Sequence, residues 1–498
     1  MGAAKWAGYI LYNGVIIHEA IGLTMTFKTI IMGIKKMDLA KKNIKRISVH
    51  TERCRKKVIN FFLIVLLSTP ITAVNAGGIN LEGLGIRAIS MGGAFIGLAD
   101  DASAIHWNPA GLSQLKGSGY TFGVYSMTAK IDAKNGVTNR RIGDLDKPYD
   151  PNKGDLFPAF YESEPANFDD DEELWLGAAT MPSFVAFKNY GRYTLAGGIF
   201  GVGGAYSSYN DKITDPVTDA EIEADVFAIL GLMAVNGSIG YQVTEKFSVG
   251  VGADLLLNVW RGDVHKDYRA PDPTLDYNYD AQIRKWGYGF QGHLGMLYKF
   301  NEQWSVGATY RTGSSMKLKG DTRVSFKGGS DIRLDPFRTN EKSDGYTEFE
   351  YGASWGLGVA YKPTNKLTFT YDYRENDWSD FKWPGSNAKF DNQGVFLQNI
   401  DEDPGWTRAH GYSVGTEYLL NDTVTLRAGY TNESSGIPSE FENPVTITIG
   451  DIQIASVGIG IQYDTWKVDA LVGTMWGGTG LGVDHRCYDV GISFMRMF

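Results

Sequence analysis

Covalent chemistry finds little to work with in this chain. The histidines after residue 76 (His106, His265, His293, His410 and His485) are scattered with no metal-ligand spacing. Gly201-Val202-Gly203-Gly204 is glycine-rich, yet neither a Lys-Ser/Thr pair nor a helical pattern follows, so it does not read as a phosphate cradle. No serine stands in the strand–turn–helix setting of a hydrolase nucleophile. Asp100 and Asp101 read as turn caps or partners of arginines in preference to acid–base groups. The run Asp169-Asp170-Asp171-Glu172-Glu173 fits no calcium loop and reads as a solvated loop. A protein that binds without catalysing, with no metal and no cofactor, is the expectation.

The elements that position its polar residues follow from composition and pattern. The chain has 498 residues, 13% of them aromatic, with 61 Gly, so it is ordered and too long for one small domain. Its apolar run Phe61–Leu67 has no downstream equal, and a helical span needs about 20 apolar residues, which excludes a polytopic helical membrane protein. The first 76 residues hold 12 Lys and Arg against 3 Asp and Glu, leaving 36 against 54 downstream. An acidic body disfavours nucleic acid as a partner. Basic Lys41–Lys57, apolar Val58–Leu67 and Val74-Asn75-Ala76 before Gly77 form a secretory signal, with cleavage expected after Ala76. Residues 1–36 then read as a dispensable prefix ahead of Met37. Processing leaves Cys487 alone, so no internal disulfide is expected, and an exported chain with one cysteine fits a bacterial envelope.

Downstream the pattern has period two. Tyr351, Ala353, Trp355, Leu357, Val359 and Tyr361 are apolar, whereas Gly352, Ser354, Gly356, Gly358 and Ala360 between them are small. Such strands have different surroundings on their two faces. Segments of this kind lie near 118–130, 175–188, 193–206, 225–241, 246–260, 283–300, 303–318, 347–361, 366–378, 408–420, 423–433, 452–464, 466–476 and 486–498, which makes 14. Short connections such as Gln242–Glu245 and Asn421–Asp422 alternate with long ones such as 131–174 and 379–407. Short turns on one rim and long loops on the other describe an all-β, 14-stranded antiparallel transmembrane barrel with both termini periplasmic. Lipid requires closed backbone pairing, so the sheet must shut on itself. Tyr298, Phe300, Trp304, Tyr361, Tyr418, Tyr463 and Trp466 near segment ends suit an interfacial girdle. Terminal Phe498 resembles the signal read by the barrel-assembly machinery, while Arg496 on the apolar face departs from that pattern and is expected to snorkel to the interface.

Between signal and first strand, residues 77–116 do not alternate. They offer helical candidates at Ile86–Met91 and Pro109–Leu115, and are most simply placed inside the barrel as a plug. Domains of 1–76, 77–117 and 118–498 result. The run Gly92-Gly93-Ala94-Phe95, then Ala99-Asp100-Asp101-Ala102-Ser103, then Trp107-Asn108-Pro109-Ala110-Gly111-Leu112 resembles the N-terminal hatch of the FadL/TodX family of outer-membrane transporters for long-chain fatty acids and other hydrophobic compounds. Trp378-Ser379 and Leu426-Arg427-Ala428-Gly429-Tyr430 match further, followed by Ile437-Pro438. That resemblance implies a 14-stranded barrel closed by its hatch, loop capture of a hydrophobic cargo, an internal apolar pocket, and release when the hatch shifts. It also implies a wall that opens sideways at a kinked third strand, where Gly197, Gly198, Gly201, Gly203 and Gly204 fall.

Three residues are candidates for touching cargo: Arg427, lumenal by parity and at a family arginine position, Arg87, the one basic residue of the hatch before Lys116, and Phe95. Their alternative role is to hold the hatch to the wall. Expected partners are fatty acids or aromatic hydrocarbons, lipopolysaccharide and outer-membrane lipid, for a monomer in the outer membrane. A lipid hydrolase, which leaves the hatch unexplained, a hydrophilic porin, whose large conductance a plugged barrel should lack, and an adhesin, which would depend on its loops and tolerate loss of the hatch motif, are the competing classes.

Overall fold

In the computed structural model the described residues are 83–133, 173–214, 220–382, 387–401, 405–434, 436, 452–478 and 483–498. The signal segment, Asp169 to Glu172 and Ile437-Pro438 lie outside them. Fourteen strands form the wall: β1 (Ser118–Ala133), β2 (Glu173–Asn189), β3 (Tyr193–Thr214), β4 (Glu221–Gln242), β5 (Phe247–Arg269), β6 (Tyr277–Lys299), β7 (Trp304–Arg311, continued by Ser314–Gly328), β8 (Thr339–Tyr351, continued by Ala353–Thr364), β9 (Leu367–Asp377), β10 (Arg408–Leu419), β11 (Val424–Glu433), β12 (Ile452–Tyr463), β13 (Trp466–Gly478) and β14 (Val483–Met497). Two short pieces lie in the loop after β9: Asn387–Phe390 pairs with β8 at Gly345 and Tyr346, and Ile400–Asp401 pairs with Asn387 and Ala388. Strand β14 pairs antiparallel with β1 from Gly119↔Met497 to Ala133↔Val483, so the sheet closes into a cylinder. Six turns of two to four residues sit on one rim and the long loops on the other, as the alternation predicts.

The outward face explains why these sequences alternate. On β6, Trp286, Tyr288, Phe290, Leu294, Met296 and Tyr298 are exposed, while Gln291, His293 and Leu297 between them, and Lys285 just before, are buried. From Trp286 to Tyr298 that belt runs thirteen residues, and its length is roughly 30 Å at ~3.3 Å per residue step and a ~40° tilt, the height of a hydrocarbon core. Near the short-turn rim, Trp304 stacks on Tyr361 at 4.2 Å and Trp466 lies 4.3 Å from Phe494. Arg496 lies at this same rim, paired with Trp466 across β13 and β14. Its guanidinium lies over Trp466 at 4.3 Å and Phe498 at 5.1 Å, where ring faces offset its charge.

Two departures of the wall from regularity bear on its lumen. Between β3 and β4 the register shifts at Gly201/Gly203, with Val202 the extra residue, and Gly204 has φ 152. Gly197 and Gly198 lie instead in regular ladder with both neighbours. Beyond Phe184↔Ile199 strands β2 and β3 no longer pair, two residues from Pro182, which has no N–H to donate. In β7 and β8 the interruptions at Thr312-Gly313 and Gly352 face one another. Each reverses the in–out phase: Tyr310, Trp355 and Leu357 face outward, but Ser314, Met316, Phe349 and Tyr351 are buried. Tyr351, assigned by strict alternation to the lipid face, therefore points into the lumen, because Gly352 lets the chain step over by one residue.

Residues 83–117 run inside the wall. Helix α1 (Ile86–Ile89), helix α2 (Ala104–Trp107) and a 3₁₀ turn (Pro109–Gln114) are short, and the remainder is turns. The sequence suggests the first and last of these but not α2, whose single turn of Ala-Ile-His-Trp carries no periodic signal.

Candidate functional site

The hatch is seated where the wall has no side chains. Following it from α1, a side chain on Gly491, Gly458, Gly429, Gly415, Gly358, Gly307, Gly295, Gly250 or Gly240 would meet Ile86, Ser90, Gly92, Met91, Gly97, Ile96, Asn108, Ala110 or Leu112 respectively. These glycines belong to β14, β12, β11, β10, β8, β7, β6, β5 and β4, so the hatch tracks the inner circumference almost strand by strand. Gly92 and Gly93 have φ 65 and 67, a left-handed pair that lets the chain turn between Trp107 and the β11 backbone.

Polar contacts fix this seat. Asn108 Nδ2 donates to Ile96 O and to Met296 O, both at 2.9 Å, while Asn108 Oδ1 accepts from Ala110 N at 3.1 Å. Pro109 starts the 3₁₀ turn without an N–H to satisfy, which is why Asn-Pro-Ala works here. Asp372 Oδ2 on β9 accepts from Phe95 N at 2.6 Å and Ile96 N at 2.7 Å. Thr431 donates to Gly92 O, Ser456 to Ile89 O at 2.7 Å and Ser305 to Gly97 O at 2.7 Å.

The arginines predicted to touch cargo come together at the short-turn end. Arg87 donates to Glu417 at 2.8 and 2.9 Å and to Asp100 at 2.6 Å, with Asp101 at 3.3 Å. Arg427 donates to the same Glu417 at 2.6 Å and to Asp469 at 2.8 Å. Lys362 and Lys467 pair with Asp100 and Asp469 at 3.5 and 3.6 Å, giving four cations and four carboxylates. Phe95 lies beneath the Arg87 guanidinium at 5.3 Å. Asp101 also caps the turn at Ser103, accepting from its N–H at 2.9 Å and its hydroxyl at 2.6 Å. Every charge in this group is matched, and none of Arg87, Arg427 or Phe95 borders the lumenal cavity.

That cavity sits on the other face of the hatch. Gly92, Gly93, Ile96, His106 and Trp107 form its floor, and Val202, His293, Thr309, Arg311, Tyr351 and Arg374 contribute to its wall. About 90 Å³ of water-accessible space remains, enough for a head group and a few waters but not for a long tail. Arg311, buried, donates to His106 O at 2.6 Å. Arg374 donates to Ser413 Oγ at 3.1 Å and lies 5.4 Å over the Trp107 ring. Neither has a carboxylate within ion-pair distance among the described residues, although Glu433 borders the same space and accepts from Asn376 at 3.0 Å. His293 joins the floor to the wall, between Ile105 O at 3.2 Å and Thr309 Oγ1 at 2.6 Å.

Outward of the cavity the lumen is greasy and packed. Leu230, Leu232, Leu256, Met316, Leu318, Phe349, Trp378 and Phe381 belong to one buried cluster with Tyr351, and Phe381 stacks on Trp406 at 4.0 Å. Tyr351 Oη donates to Val202 O at 3.2 Å, bracing the β3 bulge from across the lumen. Gly411-Tyr412-Ser413-Val414-Gly415 has the spacing of a hydrolase elbow, but it runs straight through the ladder of β10. Ser413 Oγ there meets Thr431 Oγ1 at 2.9 Å and Arg374, with no turn to present it. Among the described residues no group of three or more His, Cys, Asp or Glu side chains has metal-binding geometry.

Comparison with known proteins fits this geometry. The model of the family described as "Outer membrane protein transport protein (OMPP1/FadL/TodX)" matches residues 67–480. Outer membrane protein P1 of Haemophilus influenzae is 22% identical over 397 residues, covering 71% of this chain and 77% of that protein. The long-chain fatty acid transport protein of Salmonella typhi is 23% identical over 441 residues, covering 83% and 85%. Among solved structures, a Pseudomonas aeruginosa FadL homologue superposes with TM-score 0.62 at 14% identity, over 85% of this chain and 100% of that one. The Ralstonia pickettii toluene transporter TbuX gives 0.58 at 18% identity, over 84% and 99%. A closed 14-stranded cylinder with its leading segment seated on lumenal glycines, matched along most of its length by one family model, belongs to the OMPP1/FadL/TodX family of outer-membrane transport proteins.

Proposed function

We propose that the protein carries amphipathic acids with long hydrocarbon tails across the outer membrane, holding the carboxylate at Arg311 and Arg374. The observation that carries this reading is a pair of wall guanidiniums with no carboxylate within ion-pair distance among the described residues, held against the hatch beneath an apolar lumen. A charge-assisted, bidentate contact satisfies both. Burial of each tail CH₂ among Leu230, Leu256, Phe349 and their neighbours gains roughly 0.8 kcal/mol. The small cavity means that the tail enters only when this packing loosens, and tight capture must be followed by a change of the hatch that lowers affinity. Relatives called long-chain fatty acid transport proteins support the reading.

Arg87, Arg427 and Phe95 then anchor the hatch, together with Asp100 and Asp101, and Asn108-Pro109-Ala110 sets its turn. The β2–β3 gap beyond Ile199 is the expected side opening, with Gly201, Gly203 and Gly204 shaping it. We further place lipopolysaccharide and membrane lipid around the belt, Phe498 as the signal to the assembly machinery, and the chain as a monomer cleaved after Ala76.

Uptake of labelled oleate and toluene by cells expressing the protein tests the cargo. Replacing either guanidinium removes a charge-assisted contact worth about 1.5–3 kcal/mol, so Arg311→Ala and Arg374→Ala are each expected to weaken oleate binding ~10-fold or more and leave toluene unchanged. An equal loss for both cargoes, or none for oleate, defeats the assignment. Uptake of toluene alone favours the aromatic-hydrocarbon reading suggested by TbuX.

A further inference from the structure

The wall lapses in a second place. Strands β6 and β7 pair from Tyr277↔Gly328 to Trp286↔Lys319, and again from His293↔Arg311 to Lys299↔Ser305. Between those stretches residues 287–292 of β6 and 312–318 of β7 share no ladder. Thr312 reaches across: its N–H donates to Gly292 O at 3.0 Å, its Oγ1 accepts from Gly292 N at 2.9 Å, and its carbonyl accepts from Gln291 Nε2 at 2.6 Å. The outer part of β7 does not abut β6 but overlaps its inner face. A side chain on Gly287 would collide with Lys317 O, and one on Gly289 with Ser314 Oγ and Met316 Cγ.

Three features place this overlap on a route for a hydrocarbon chain. Trp286, Tyr288 and Phe290, exposed on the outer surface of β6 at 62%, 57% and 69%, put the seam in the half of the lipid belt nearer the long loops. Its inner end meets the cavity, since His293, Thr309 and Arg311 border both. The β7–β8 hairpin that closes it is joined to the lower wall only through Thr312-Gly313 and Gly352, directly opposite each other. In lipid, parting two laddered strands strips backbone groups of their partners at high cost. Here that ladder is already missing, and glycines leave little side-chain bulk to clear. We propose that the β6–β7 seam is a second lateral port, through which the tail of an amphipathic acid passes between the outer leaflet and the cavity while its carboxylate meets Arg311. The port rests on the transport reading above and is distinct from the gap at β3.

Gly289→Cys with Ser314→Cys would weld the overlap, the two positions being already in contact. Labelled oleate uptake is then compared in oxidised and reduced cells, and a diazirine-bearing fatty acid is photolysed in membranes and its attachment sites mapped. Uptake is expected to fall threefold or more on oxidation and to recover on reduction, with photolabel on residues 286–292 or 314–318 of the reduced protein lost on oxidation. Equal uptake in the two states overturns the port. So does photolabel absent from the seam of the unaltered chain, an arm that needs no variant to fold. Absence of oleate uptake by the wild type would sink the transport reading instead.

Discussion

Glu417 holds two guanidiniums at once, Arg87 from the hatch and Arg427 from the wall, and so ties one to the other. Removing one partner from a buried ionic cluster costs about 3–5 kcal/mol, because the remaining charges lose their compensation. Glu417→Gln is therefore expected to raise hydrogen exchange in the hatch amides by ~100-fold or more while the wall strands exchange as before. Unchanged protection of residues 86–112 would show that the cluster does not anchor the hatch. Parity alone puts Arg427 in the lumen, and its partner Glu417 lies directly opposite on β10. Reading that pair from sequence requires the register between strands, which alternation does not supply. Arg311 and Arg374 are harder still: nothing distinguishes them until the hatch is in place and His106 and Trp107 lie against them.

At the scale of elements, lipid on one side makes the strands legible, and all fourteen fall where period two puts them. Their outer ends reach further than predicted, as in β5 to Arg269 and β6 from Tyr277, because above the belt both faces turn polar and the signal fades. A phase reversal is invisible for a related reason. Tyr351 and Trp355 are both aromatic and both odd-numbered, so the sequence continues its rhythm through Gly352 although the backbone does not. The hatch turn depends on Asn108, which satisfies three backbone groups. Asn108→Ala leaves Ile96 O, Met296 O and Ala110 N without it, at about 1–3 kcal/mol for each group left buried and unmet. Such a variant is expected to fold its barrel, yet to expose the hatch to added protease in permeabilised cells. A hatch as resistant as that of the wild type would assign its stability to the glycine seat alone.

For the molecule as a whole, a cylinder filled by its own leader conducts little. Deleting residues 83–116 removes the filling and leaves lumenal glycines facing a void, so planar-bilayer conductance is expected to rise several-fold, with oleate uptake losing its saturation. Unchanged conductance would mean that the packed cluster around Phe349 and Trp378, and not the hatch, closes the path. The glycine track from Gly491 round to Gly240 has one more consequence. The wall works as a mould whose relief is written in missing carbon atoms, and the leader is its casting. A leader grafted from a relative would jam unless the matching hollows came with it, so drift in one part is admissible only in step with the other.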